Sequence, residues 1–162
     1  MKRILAVALI LMGLLNLAGC SQWASNGEKV FEEPPELYLQ VGDQEVRGRG
    51  GTYSWNYKGN FNQWFGVEAD AIHPLDGKDR LEGLETQETT ALLRFEEQPD
   101  EVRAHCWSDA HWGDHEAQSE SVEVDGDRLS LKKGGHIYEV IANWERESYE
   151  GTAHYIFYII VK

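Results

Sequence analysis

Residues 105–116, His105-Cys106-Trp107-Ser108-Asp109-Ala110-His111-Trp112-Gly113-Asp114-His115-Glu116, gather three of the six histidines and a cysteine in one short span. Imidazole and thiolate are the side chains that zinc and copper prefer, and carboxylates complete such shells. His105, His111 and His115 are therefore the candidate metal ligands. Local geometry works against them. In a strand running through Trp107, His105 and Cys106 point to opposite faces, and His111 and His115 share a face only on a helix, which Gly113 disfavours. A folded loop is the one way to bring the three imidazoles together. The simpler expectation is a polar loop after a core strand, with Cys106 a small buried hydrophobe beside Val102 and Ala104. A nucleophilic Cys-His pair needs a base held in hydrogen-bond reach, and nothing near Cys106 supplies one.

The other chemical features are weaker. With 28 acidic residues, some carboxylate pair falls at glycosidase spacing by chance, so their abundance carries no sign of hydrolysis. Asp125-Gly126-Asp127 lacks the spaced ligands and closing Glu of a calcium loop, and Gly48-Arg49-Gly50-Gly51 lacks the Lys-Ser/Thr of a phosphate loop. Both read as turns. Trp55, Tyr57, Phe61, Trp64 and Phe65 lie among Asn56, Asn60, Asn62 and Gln63. Aromatic faces beside amides hold sugars, and exposed aromatics anchor protein partners. Trp55 and Trp64 are the candidate ligand contacts, weighed against ordinary core packing. No catalytic residues and no cofactor are expected.

Location is written more clearly. Lys2 and Arg3 precede an apolar run from Ile4 to Leu17, and Leu17-Ala18-Gly19-Cys20 follows directly. This is the layout of an export signal, too short and too soon polar for a spanning helix. The four residues resemble the site where bacterial lipoproteins are acylated on the cysteine and cleaved before it. Residues 1–19 are then a lipoprotein signal peptide, Cys20 carries the lipid anchor, and residues 20–35, ending at Pro34-Pro35, form a flexible tether. The expected location is the extracytoplasmic face of the cell membrane, or the outer membrane in a Gram-negative host.

Loss of residues 1–19 removes two of the 15 basic residues and none of the acidic ones, so the net charge moves from -13 to -15. Such a surface repels nucleic acid and anionic lipid alike. With Cys20 acylated, Cys106 is the one remaining thiol and no intrachain disulfide can form. The fold must stand on its core.

From Glu36 onward the pattern has period two, with turn residues at intervals and no helical repeat. Leu37, Leu39 and Val41 alternate with polar neighbours before a Gly42-Asp43 turn, and Glu45 to Arg49 pairs back. Thr52 to Tyr57 is a further strand, Phe61 to Val67 is ambiguous, and Pro74 to Gly83 is a loop. Thr90 to Phe95 and Val102 to Trp107 flank a Pro-containing acidic break that makes either a hairpin or a crossover. Asp-Gly between Ser121–Val124 and Arg128–Lys132 signals a hairpin, and Lys133-Gly134-Gly135 another turn. Ile137 to Trp144 and Ala153 to Val161 close the chain, the last run apolar on both faces and so central in a sheet. Seven to nine short strands over residues 36–162 predict an all-β antiparallel sandwich, with a closed barrel second.

Within Gly135-His136-Ile137-Tyr138-Glu139-Val140-Ile141-Ala142, the tyrosine two residues before a buried position resembles the tyrosine corner of immunoglobulin-like domains, with Val140 where antibody domains carry a cysteine. Gly51-Thr52-Tyr53-Ser54-Trp55, His136–Val140 to Trp144, and Ala153-His154-Tyr155-Ile156-Phe157 together resemble motifs of small, uncharacterised lipoproteins of Gram-positive bacteria. That resemblance implies an exported, lipid-anchored, β-rich domain and brings no catalytic residue. Two functions follow as expectations. A module that recognises another envelope protein needs an exposed aromatic patch beside an open sheet edge. A small-ligand or metal-binding lipoprotein needs His105, His111 and His115 to converge, or a pocket at Trp55 and Trp64.

Overall fold

In the computed structural model, which describes residues 29–162, the alternating segments become twelve strands. They are β1 (Leu37–Val41), β2 (Gln44–Arg47), β3 (Arg49–Lys58), β4 (Trp64–Ala69), β5 (Gly83–Thr86), β6 (Thr90–Phe95), β7 (Glu101–Ser108), β8 (Glu120–Val122), β9 (Val124–Asp125), β10 (Arg128–Ser130), β11 (Gly134–Glu145) and β12 (Tyr149–Val161). One sheet runs β2-β1-β6-β10-β9 and the other β4-β3-β12-β11-β7-β8, with β5 added beside β12. All pairings are antiparallel except β5 with β12. The molecule is an all-β, immunoglobulin-like sandwich. The proposed signal peptide, Cys20 and the first part of the tether lie outside the described residues.

Alternation decides which side chains meet between the sheets. Leu37, Leu39 and Val41 of β1, Leu93 of β6 and Leu129 of β10 face Trp55, Cys106, Tyr138, Val140, Ala142, Trp144 and Phe157 of the second sheet in one buried cluster. Tyr138 is fully buried, and its hydroxyl accepts the Lys132 backbone N–H at 2.7 Å. Burial pushes that phenol up to about 12, so it stays a neutral pin between β11 and the chain six residues upstream. This is the contact that the corner-like Tyr138 foretells.

The structure departs from the sequence reading in three ways. There are twelve strands instead of seven to nine, because short edge pieces such as β5 and β9 count separately. The chain switches sheets at Glu123, so the expected strand Ser121–Val124 is two pieces: β8 pairs with β7 and β9 with β10. Of the two outcomes expected for the break after Phe95, the crossover is the one formed, since β6 and β7 lie in different sheets. Lys133-Gly134-Gly135 does not form a separate turn. Gly134, at φ 94°, bends the chain straight into β11.

Residues 29–35 pack on the sandwich. Phe31 is buried edge-on against Tyr149, its carbonyl accepts the Trp55 indole N–H at 2.7 Å, and the Pro35 carbonyl accepts the Tyr155 hydroxyl at 2.5 Å. Packed residues therefore begin before Pro34, inside the span 20–35 expected to be a flexible tether.

A second apolar cluster lies on the far side of the β11-β12 sheet. Trp107, Ile137 and Ile156 are covered by Leu75 and, less completely, by Leu81 and Trp112, which come from the two irregular segments after β4 and β7. This is why β12 is apolar on both faces.

Candidate functional site

The β3-β4 hairpin carries the most exposed large apolar side chains of the described domain. β3 and β4 pair from Tyr53 with Ala69 to Lys58 with Trp64, and the tip between them is a tight turn at Asn60–Asn62. Phe61 and Asn62 both take positive φ, 69° and 62°, and they are the two non-glycine residues among those described that do so. Asparagine tolerates this region; an aromatic residue there is strained by about 1–3 kcal/mol. The Phe61 ring gains nothing from the fold in return, being 99% exposed.

Behind the tip, Trp64 is 48% and Phe65 43% exposed. Tyr57 stacks on Phe65 with centroids 5.5 Å apart, and the Lys58 ammonium sits 5.3 Å from the Trp64 ring centre. Adjacent strand residues point to opposite faces, so the hairpin shows aromatic surface on both sides and at its end. β4 is also the outermost strand of its sheet. The other outer strands are blunted: β2 carries Glu45 and Arg47, β8 has three residues with Glu120 paired to Lys132 at 2.5 Å, β9 has two residues, and the four-residue β5 carries Glu85 paired to Lys162. β4, Trp-Phe-Gly-Val-Glu-Ala, is the longest of these edges, with Glu68 its one charged side chain and none on its Phe65-Val67-Ala69 face.

Trp55 and Trp64, expected as a pair of ligand contacts, are separated by the sheet. Trp55 is fully buried, stacked on Tyr149 and edge-on to Trp144, so it is a core residue and touches no ligand. Trp64 alone stays accessible.

The structure also parts the three candidate metal ligands. His105 faces outward from β7, where Glu139 of β11 takes its Nε2 at 3.0 Å. The short turn Asp109–His111 carries His111 toward Asp114, 3.7 Å away. His115 Nε2 lies 2.6 Å from Asp76 and its ring stacks on His73. Each imidazole has its own carboxylate, and no group of three or more His, Cys, Asp or Glu among the described residues is placed to hold a metal ion. Cys106 points the other way into the core, where burial pushes its thiol up.

One charged cluster was invisible in the sequence. Glu139 is nearly buried on the outer face of β11, with His105 Nε2 at 3.0 Å on one carboxylate oxygen and His154 Nδ1 at 2.8 Å on the other. An ionised carboxylate only accepts, so both ring nitrogens carry protons. Burial opposes the charge on Glu139, but the His154 hydrogen bond and the two imidazoles outweigh it and hold the carboxyl below its usual range. A carboxyl held low stabilises the fold above its unfolded pKa and loses that contribution as pH falls. Glu139→Gln should therefore cost about 1–3 kcal/mol at neutral pH. In urea unfolding at a series of pH values, the gap to the parent protein should close below the ordinary Glu range of about 4.3. A gap that stays constant into acid would mean that packing, not charge, makes the difference. The cluster ties β7, β11 and β12 together and acts as a cross-strand clamp.

No family model, curated protein or solved structure matches this chain. What it does must be read from the hairpin, the edge and the charge.

Proposed function

We propose that the protein is a lipid-anchored, extracytoplasmic recognition module without catalytic activity, which binds another envelope protein along β4 and the aromatic tip of the β3-β4 hairpin. The carrying observation is Phe61: the backbone is held in a strained turn that leaves an aromatic ring fully in water beside the longest edge strand, and a partner that covers the ring removes that apolar surface. An extended segment of the partner would continue the sheet by pairing with β4, while Phe61, Trp64 and Phe65 enter its apolar hollows. With a net charge of -15 on the mature chain, the favoured segment is neutral or basic, and nucleic acid and anionic lipid are poor competitors.

The anchor is Cys20, with the short segment before Phe31 setting the reach from the membrane. Cys20→Ser should abolish incorporation of labelled palmitate and move the protein from the membrane to the soluble fraction. Retention of label and membrane association by the variant would remove Cys20 as the anchor. Partner binding is tested by affinity recovery from cross-linked host envelopes, comparing the parent protein with a Phe61→Ala/Trp64→Ala/Phe65→Ala variant. One protein species recovered by the parent and absent with the variant supports the reading, and equal recovery by both overturns it.

A further inference from the structure

A crevice lies where the neighbours of β12 change. β3 pairs with β12 as far as Arg49 opposite Ile156, and β5 takes over with Gly83 opposite Tyr158. Phe157, between them, stands opposite neither strand. The chains entering β3 and β5 diverge there, and two adjoining hollows of about 200 and 490 Å³ open, both bordered by Arg49, Gly50, Arg80, Leu81 and Ile156.

In so acidic a protein the guanidinium groups are the unusual feature of this place. Arg47, Arg103 and Arg146 each have a carboxylate partner; Arg49, Arg80, Arg94 and Arg128 have none among the described residues, and of these four only Arg49 and Arg80 border a common hollow. Asp70 borders one hollow and Glu82 the other, yet neither pairs with these two arginines. Arg49 Nη1 donates instead to the Arg80 backbone carbonyl at 3.1 Å, which ties its guanidinium to the opposite wall and leaves its other N–H groups free. Ile72, Leu81 and Ile156 supply an apolar wall. The backbone is tight beside it: a Cβ at Gly48 or Gly51 would press on Phe157 or His154.

Two guanidinium forks take a carboxylate or phosphate group, and an apolar wall takes the carbon body behind it. We infer that this crevice binds a small organic anion, one oxyanion group on an apolar body. The site lies at the opposite end of β3 from the hairpin tip.

The test is equilibrium dialysis of the full lipidated protein in nanodiscs against benzoate and phenyl phosphate, with benzyl alcohol as the neutral analogue and empty nanodiscs subtracted. At least one anion should bind saturably and benzyl alcohol should not. The preferred anion identifies the head group as carboxylate or phosphate. Arg49→Met/Arg80→Met should weaken binding by about tenfold or more. Saturable binding of benzyl alcohol equal to that of the anions, undiminished binding by the double variant, or no saturable binding of either anion would each overturn the inference.

Discussion

Trp55→Ala should be the most damaging single substitution in the domain, costing about 3–5 kcal/mol, the range for emptying a large aromatic site in a packed core. Trp55 is fully buried and meets two rings at 5.5 Å, Tyr149 face to face and Trp144 edge-on. Its indole N–H also holds the Phe31 carbonyl, so truncation loosens the segment before Pro34 together with the core. Gly151 lies so close that a Cβ on it would overlap the indole, which leaves the backbone little room to collapse into the hole. Small domains are stable by about 5–15 kcal/mol, so the loss is a large part of the whole. Chemical denaturation of the Trp55→Ala and Trp64→Ala variants side by side measures it. Trp64→Ala should stay within about 0.5 kcal/mol of the parent, and equal losses at the two tryptophans would contradict the assignment of one to the core and one to the surface.

The second large effect concerns binding. Aromatic anchors at the centre of an interface typically contribute about 2–4 kcal/mol each on truncation, and the values are not additive. Removing Phe61, Trp64 and Phe65 together should therefore weaken the complex by at least about a thousandfold, equivalent to ~4 kcal/mol. The free protein should lose only the Tyr57–Phe65 stack and the Lys58–Trp64 contact, about 1–2 kcal/mol together, and still fold; Phe61 makes no ring contact, and a smaller residue at φ 69° leaves the same backbone strain. A separate edge variant, Val67→Lys, adds charge to β4 without touching the tip. If strand addition accompanies anchoring, Val67→Lys weakens binding as well. Reduced partner affinity together with a large loss of stability in the triple variant would instead point to a misfolded hairpin.

Much of the architecture was legible because it rests on local signals. Gly126-Asp127 sits between Asp125 and Arg128 of the β9-β10 pair, and Gly42-Asp43 closes β1 on β2. The alternation of Tyr138, Val140, Ala142 and Trp144 marked the buried face of β11. Period two does not say which sheet a strand joins, so the switch at Glu123 is not legible, and the four-residue β5, directly after the expected loop Pro74 to Gly83, is too short to show a pattern. Nor does it separate Trp55 from Trp64, two tryptophans in the same aromatic run; which is buried depends on where the second sheet ends. Glu139 looks like any surface glutamate in sequence, since His105 and His154 reach it from two other strands. The crevice is harder still, because Arg49 and Arg80 are brought together only by the exchange of β3 for β5 along β12. Phe31 lay in a polar stretch whose periodicity gave no sign that it docks. A signal was present for the hairpin tip: five aromatics in eleven residues, interleaved with amides that a buried strand would not carry.

The central claim is that Phe61 touches a protein partner in the cell envelope. Its most direct test is a photo-crosslinking amino acid placed at Phe61 in living host cells, with the same group at Glu45 on the charged β2 edge as the control. One discrete cross-linked protein from position 61, missing from position 45 and lost when Trp64 and Phe65 are also replaced by alanine, is the predicted result. Cross-links to lipid alone, or the same adducts from both positions, would contradict it.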